Sequence, residues 1–154
     1  MLDSLLFGSV GPPLVGYHFR VDFGLPGLFV KDVGFESVSG ISMTLKTQTV
    51  QSHGKTEEVA SGVEYGDLVL SRGLIHGSKL GAWLEAQITL KRKFPIPIVI
   101  SALDKNRMPV YCWTFINAYP TQLSVDGFNA VKGELLVEKV TFKYDSYKAL
   151  DLSM

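Results

Sequence analysis

The stretch TLKTQTVQSHGK, from Thr44 to Lys55, decides how the rest of the chain is interpreted. Threonine and valine favour extended backbone, so the stretch predicts a β-strand. One face carries Thr44, Lys46, Gln48 and Ser52, and the other carries Thr47, Thr49, Gln51 and His53. A long strand without an apolar face is prone to aggregation unless something covers it or pairs with its backbone. Two interpretations stay open at this point: a partner chain pairs with the strand, or the stretch is a disordered loop.

Length and charge indicate a single soluble domain. The 154 residues suffice for one hydrophobic core. Fifteen basic and fifteen acidic side chains give a formal net charge of +0, so no overall field attracts nucleic acid or an anionic membrane. No run approaches the roughly 20 apolar residues of a membrane span, and Asp3 stands where a signal peptide carries Lys or Arg. We expect assembly in the cytoplasm and no direct membrane insertion by the monomer.

Alternation of apolar and polar residues predicts where the domain begins. The apolar residues Tyr17, Phe19, Val21 and Phe23 alternate with His18, Arg20 and Asp22, as in a half-buried strand that ends at a turn over 24–27. We expect an N-terminal arm at 1–16, a β domain at 17–148 and a C-terminal tail at 149–154. Further strands are predicted at 35–41, 65–72, 98–103, 110–117, 119–125 and 130–144. The segment 53–62 is charged and lacks a period, which predicts a loop.

One helix is predicted, from Ser78 to about Lys91. Its apolar residues Leu80, Trp83, Leu84 and Ile88 have helical spacing, and Ser78 is a suitable N-cap. The basic run Lys91–Lys93 follows, where cations complement the helix dipole. Trp83 on this apolar stripe and Trp113 in an apolar strand are predicted to be core anchors.

The predicted last strand, 130–144, changes parity along its length. Val131, Leu135 and Val137 are apolar in its first half, whereas Val140, Phe142 and Tyr144 are apolar in its second half. A bulge, or a strand that passes from one sheet to another, would produce this change. Many short strands and one helix predict a mainly β fold, namely a small antiparallel β-barrel or sandwich with one flanking helix.

The residue types needed for catalysis or metal binding do not come together in the sequence. His18, His53 and His76 are far apart, and none has zinc-site spacing to another histidine or to Cys112. The sequence has no GxSxG elbow, P-loop or GxGxxG motif. The lone Cys112 lies in an apolar run, where a thiol is usually a small buried hydrophobe. We therefore predict no catalytic residue, no metal and no cofactor.

The order of several short motifs resembles one protein family. These are YHFRVDF, FESVSGI, LVLSRG before a Trp-bearing helix, the hairpin across DKNRMPV, WTFINAYPTQL and a late VEKVTF strand. Over residues 17–148 the chain resembles the inner tube proteins of contractile phage tails and extracellular contractile injection systems, which are relatives of the hemolysin-coregulated ring protein of type VI secretion. The alternative is a small β-barrel that binds a ligand or carbohydrate.

The resemblance implies a structural role without catalysis. It implies a homo-hexameric ring, with rings stacked into a tube that contacts sheath and baseplate proteins and lets cargo effectors or phage DNA pass through its lumen. The particle would be an extracellular or cell-anchored injection device or a virion. With the polar strand and the chain end lining the channel, the lumen-facing candidates are Thr44, Lys46, Gln48, Lys139, Thr141 and Lys143. The segment Lys55, Thr56, Glu57 and Glu58 follows that strand and is the candidate for ring stacking.

Overall fold

A computed structural model describes residues 12–14, 16, 18–24 and 34–152 of the chain. These residues form one helix, α1 (Lys79–Thr89), and nine strands: β1 (Phe19–Phe23), β2 (Ser37–Ser39), β3 (Met43–Ser52), β4 (Lys55–Tyr65), β5 (Leu68–Gly73), β6 (Ile96–Leu103), β7 (Pro109–Asp126), β8 (Val137–Lys143) and β9 (Ser146–Asp151). The predicted mainly β fold with one helix is confirmed. Most of the predicted arm at 1–16, together with Tyr17 and most of the turn at 24–27, lies outside the described residues.

All strand pairs are antiparallel, and seven strands form one sheet in the order β1-β6-β7-β8-β5-β2, with β9 also paired to β7. Within the described residues the edge strands β1 and β2 do not pair with each other, so the sheet is open rather than a closed barrel. Strands β3 and β4 form a separate two-stranded sheet. Residues 149–151, assigned from the sequence to a C-terminal tail, form the second half of β9.

The long strand β7 joins the two halves of the sheet. Its first half pairs with β6 and β9, and its second half pairs with β8. Between the halves Asn117 has a positive φ of 56°, and its side-chain amide donates to Asp145 Oδ2 at 2.7 Å. Asparagine tolerates this left-handed conformation better than most residues do. The two strands predicted at 110–117 and 119–125 are therefore one strand that is irregular at Asn117.

The core lies between the two halves of the sheet and helix α1. Its fully buried side chains include Leu68 and Leu70 of β5, Phe115 of β7, and Val140 and Phe142 of β8. Each alternates along its strand with less buried residues, as expected for a strand with one face towards the core. Burial of these large side chains supplies the main favourable contribution to folding.

Helix α1 begins as the sequence predicts. Ser78 Oγ accepts a hydrogen bond from Gly81 N–H at 2.9 Å, which confirms the N-cap. The same oxygen accepts from Arg72 Nη2 at 2.8 Å, and Arg72 Nε donates to Glu138 Oε2 at 3.0 Å. This buried ion pair joins β5, β8 and the start of the helix. The predicted apolar stripe is wrong at one position, because Ile88 is exposed and Gln87 is buried in its place.

The predicted strand at 130–144 is also only partly correct. Strand β8 begins at Val137, and the preceding residues form a loop in which Val131 and Leu135 are exposed. The Asn129 side chain accepts from the backbone N–H of Val131 and organises this loop. The change of parity in the sequence is therefore a loop-to-strand boundary and not a bulge within one strand.

The segment 53–62, predicted to be a loop, is mostly strand β4. His53 and Gly54 both have positive φ angles, 52° and 74°, and form a two-residue turn between β3 and β4. Two consecutive left-handed residues match the twist of a tight antiparallel hairpin. The disordered-loop interpretation of 44–55 is therefore wrong, and one edge of the polar strand pairs with its own chain.

Four aromatic side chains form a cluster below the base of this hairpin: Tyr65, Phe115, Tyr144 and Tyr147. Tyr144 Oη donates to Gly66 O at 2.6 Å, which links the residue after β8 to the residue after β4. Burial, and to a smaller extent the nearby Tyr147, Asp67 and Tyr65, raises the pKa of Tyr144 from 10.0 to about 12.

This shift predicts a loss of stability in alkali. Because the folded state holds the phenol proton more tightly than the unfolded chain, the stabilisation is complete below about pH 10 and is lost as the pH rises from 10.0 to about 12. Urea unfolding between pH 9 and 12 measures how steeply the free energy of unfolding falls with pH. In Tyr144→Phe the slope should be shallower, and an unchanged slope would assign the loss to other groups.

Candidate assembly surfaces

The β3–β4 hairpin is the most exposed element of the described structure. Every residue from Met43 to Glu64 is exposed, and the two strands pair only with each other among the described strands. At about 3.3 Å per residue, the ten residues of β3 extend for roughly 33 Å. An isolated two-stranded hairpin is marginally stable in water. Both faces and both outer edges of the hairpin are therefore available to a partner.

The register of the hairpin gives its two faces different chemistry. The face that we call the Lys46 face carries Thr44, Lys46, Gln48, Val50 and Ser52 opposite Glu64, Gly62, Val59, Glu57 and Lys55. The face that we call the Glu58 face carries Met43, Leu45, Thr47, Thr49 and Gln51 opposite Tyr65, Val63, Ala60, Glu58 and Thr56. Three predicted lumen residues thus share the Lys46 face, where Lys46 Nζ lies 3.8 Å from Glu64 Oε1.

The predicted stacking residues lie at the start of β4 and alternate between these faces. Lys55 and Glu57 are on the Lys46 face, whereas Thr56 and Glu58 are on the Glu58 face. All four are exposed and pair with the last four residues of β3. The structure therefore keeps them at the exposed end of the hairpin, beside the turn, but in a strand instead of a loop.

The other predicted lumen residues lie on the outer face of β8. Lys139 and Lys143 are exposed and Thr141 is partly buried, and they alternate with the core residues Val140 and Phe142. Their neighbours on the adjoining strands are largely polar: Ser71 and Val69 on β5, and Ser124, Gln122 and Tyr119 on β7. At the edge of the same face Ser37 Oγ contacts Ser71 Oγ. This side of the sheet is a mainly hydrophilic surface.

The two tryptophans are half-buried. Trp83 packs against the core and lies edge-on to Phe94, with ring centroids 6.3 Å apart. Trp113 packs against the core and against Tyr111, at 4.9 Å between centroids. Trp113 also lines a cavity of about 360 Å³ between the edge strands β1 and β2. Both residues support the core from its margin and are not fully enclosed in it.

Two further exposed surfaces lie outside the predicted lumen and stacking residues. Phe128, Val131 and Leu135 project from the loop before β8, with 80%, 94% and 76% of their surface exposed. The basic run Lys91–Lys93 follows the C-cap Leu90 of helix α1, so its cations lie beyond the last helical turn. Lys93 Nζ lies 4.5 Å from the centre of the Tyr119 ring. In a sequence, apolar residues of a loop look the same as apolar residues of a strand. Nothing in the sequence therefore distinguished the loop before β8 from a strand.

The described residues show neither a metal-binding cluster nor a disulfide. They hold no group of three or more His, Cys, Asp or Glu side chains that could bind a metal ion. Cys112 is partly buried and forms no disulfide. Helix α1 is too short to cross a membrane, and no other helix occurs within the described ranges.

Comparison with known proteins agrees with the resemblance found in the sequence. A chain in the cryo-EM structure of the anti-feeding prophage baseplate, 6-fold symmetrised, matches with a TM-score of 0.78 at 25% identity, covering 94% of this chain and 100% of that one. A chain in the PVC sheath-tube complex of an extracellular contractile injection system matches at 0.77 and 22% identity, covering 97% and 96%. Hcp1 from Flavobacterium johnsoniae matches at 0.58 and 11% identity, covering 88% and 99%.

Sequence comparison identifies the family. No curated protein is significantly similar to the chain in sequence. The family model described as T4-like virus tail tube protein gp19 matches residues 15–148, which is most of the chain. The chain therefore belongs to the T4-like virus tail tube protein gp19 family.

Proposed function

We propose that six copies of this tail tube protein close into a ring, and that the rings stack into a hollow tube inside a contractile particle. The observation that carries the proposal is the β3–β4 hairpin, which is exposed from Met43 to Glu64 and whose two outer edges pair with no other described strand. Neighbouring copies would pair with these edges and cover these faces. The near-zero net charge removes long-range repulsion between identical subunits.

The partners follow from the same assignment. The matched structures come from a baseplate and a sheath-tube complex, so we propose that this protein contacts sheath and baseplate proteins of its own particle. It would assemble in the cytoplasm and act as part of an extracellular or cell-anchored particle or a virion. Its role is mechanical and needs no catalysis. Family membership does not favour the alternative of a ligand-binding barrel.

For the lumen we propose the outer face of β8 and the Lys46 face of the hairpin. Lys139, Thr141 and Lys143 lie on the hydrophilic side of the sheet, opposite the core. Thr44, Lys46 and Gln48 share one face of β3. Hydrated charged and hydroxyl side chains keep a wall wet, so cargo effectors or phage DNA would pass without adhering to apolar surface.

Electron microscopy of the purified protein, alone and with its baseplate, tests this proposal. We expect sixfold rings at high concentration, and tubes when a baseplate provides the first ring. In a reconstruction of the tube, Lys139, Thr141 and Lys143 should line the channel. A protein that stays monomeric by light scattering over a wide concentration range and adds to no tube would refute ring formation. Rings with these residues on the outer wall would refute the lumen assignment alone.

A further inference from the structure

The exposed hairpin and the large sheet are joined by two strand segments that keep one register. Strand β2 pairs with β5 as far as Ser39 opposite Val69, and pairing resumes in the hairpin with Met43 opposite Tyr65. Three residues separate the two ladders on each strand. Because these numbers are equal, neither strand contains the extra residue of a β-bulge. Strands β2 to β5 therefore form one long ribbon, interrupted at a junction that consists of residues 40–42 and 66–68.

Two glycines of the junction bring the strands so close that no room is left for a side chain. Gly40 has a φ of 91°, and a Cβ atom added to it would overlap the backbone oxygen of Asp67. A Cβ atom on Gly66 would overlap the Ser42 hydroxyl and lie 3.0 Å from Gly40 O. The Ser42 hydroxyl is able to rotate away, whereas a backbone oxygen moves only with its strand. Gly40 is therefore the stricter of the two requirements.

Both backbone groups of Gly66 form hydrogen bonds at the junction. Its N–H donates to Ser42 O at 3.2 Å, and its oxygen accepts from Tyr144 Oη at 2.6 Å. The first bond joins the two strands of the ribbon, and the second joins the ribbon to the residue after β8. A polar group that loses its partner away from water is costly in free energy. These bonds therefore oppose rotation of the hairpin about the junction.

Apolar side chains on both strands attach the junction to the domain. Ile41 packs against the core. Tyr65 is the one residue of β4 that is not exposed, and its ring centroid lies 5.4 Å from that of Tyr147 and 5.9 Å from that of Tyr144. Aromatic pairs at such distances attract each other in tilted and edge-on arrangements. A rotation of the hairpin would separate these rings.

We propose that the junction fixes the direction in which the hairpin leaves the sheet before the subunit assembles, with Gly40, Gly66 and Tyr144 as positioning residues. Backbone crowding, two hydrogen bonds and aromatic contacts act together on the base of the hairpin, so the entropic cost of docking falls on its distal part. A preset direction lowers the orientational freedom that a neighbour must remove on binding. This consequence for assembly rests on the proposed ring-and-tube function.

A distance measurement in the free subunit tests the fixed direction. Spin labels are attached through Thr44→Cys, beside the junction, and Glu85→Cys, on the exposed side of α1, in a Cys112→Ser background. Pulsed electron double resonance at low protein concentration should give one narrow distribution of distances between the labels. A broad or two-peaked distribution would overturn the proposal.

Glycine variants carrying the same labels test the junction itself. Gly40→Ala should shift and broaden the distribution, because its Cβ atom forces the strands apart at a left-handed position. Gly66→Ala should have a smaller effect, since the Ser42 hydroxyl can move. Gly62→Ala is the matched control within the hairpin, because its Cβ atom would meet no described atom within 4 Å beyond its chain neighbours. Its distribution should equal that of the wild type.

Tyr144→Phe tests the same idea without crowding the backbone. It keeps the aromatic ring and removes the hydrogen bond to Gly66 O, so it should broaden the distribution in a folded subunit even if Gly40→Ala does not fold. Equal distributions in Tyr144→Phe, Gly62→Ala and wild type would overturn the positioning role.

A tube reconstruction provides the final comparison. The hairpin should leave the sheet in the same direction in the tube as in the free subunit, and a different direction would overturn the proposal. A wild-type protein that forms no rings would instead refute the proposed function, while the distances in the free subunit would still decide whether the junction is fixed.

Discussion

Glu138→Gln is expected to lower the free energy of unfolding by about 3–5 kcal/mol, because it removes the negative charge that pairs with the buried guanidinium of Arg72. The Arg72 and Glu138 side chains are 3% and 6% exposed, and their ion pair, at 3.0 Å, is the buried one among the residues that the structure describes. Gln keeps the volume of Glu, removes the charge and replaces one carboxylate oxygen by an amide nitrogen. Since Arg72 also donates to the helix cap Ser78, the start of α1 should loosen as well.

The matched control is Glu64→Gln, which removes the charge from an exposed pair. Lys46 Nζ and Glu64 Oε1 are 3.8 Å apart, and both side chains are more than half exposed. Exposed pairs contribute about 0–1 kcal/mol. Urea unfolding at equal and low protein concentration measures both variants without stabilisation by assembly. Similar losses in the two variants would show that the Arg72–Glu138 pair is well solvated in solution.

Phe115→Ala should lower the free energy of unfolding by about 3–5 kcal/mol, because it opens a cavity in the core. Phe115 is 0% exposed and contacts Tyr144 edge-on, with ring centroids 4.8 Å apart. It lies in β7 just before Asn117, where the strand passes between the two halves of the sheet. Loss of its ring removes packing from both halves at once.

Phe128→Ala makes the same chemical change at a residue that is 80% exposed. Surface substitutions of this kind usually change stability by no more than about 0.5 kcal/mol. Chemical denaturation monitored by tryptophan fluorescence compares the two variants. A large loss in Phe128→Ala, dependent on protein concentration, would place the 128–135 loop in an interface between subunits.

Strong periodicity accounts for what the sequence predicted correctly. Strand β1, strand β5 and the N-cap of α1 each have one buried face or one clear capping residue, so alternation or helical spacing is visible. At the end of helix α1 the apolar spacing predicted the wrong buried residue, Ile88 instead of Gln87. Gln87 is buried because its side chain accepts the Phe94 N–H as the chain turns, and this tertiary contact leaves no trace in hydrophobic spacing.

The hairpin shows why strand β4 was not predicted. Periodicity identifies a strand only when one face is buried, and every residue of β4 except Tyr65 is exposed. Its turn consists of His53 and Gly54, without the Asn-Gly or Asp-Gly signal that marks tight hairpins. The polar strand β3 was nonetheless predicted as a strand, because its threonines and valine favour extended backbone.

The structure shows where the candidate functional residues lie, and their roles in the lumen and in ring stacking stay predictions. Lys139, Thr141 and Lys143 were chosen because they alternate with apolar neighbours, and that alternation is present in β8. The acidic residues Glu57 and Glu58 look equivalent in the sequence. Only the register of β4 separates them, since adjacent strand residues face opposite sides.

The coreless hairpin also has a kinetic consequence. An isolated two-stranded hairpin is only marginally stable, so in the proposed tube the docking of this roughly 33 Å arm would bear the entropic cost of fixing it. Once one arm of a subunit cluster has docked on a complete ring, the others would face their sites at high effective concentration. Two free subunits would share only one such contact. We therefore expect free subunits to join an existing end more readily than they start a new one.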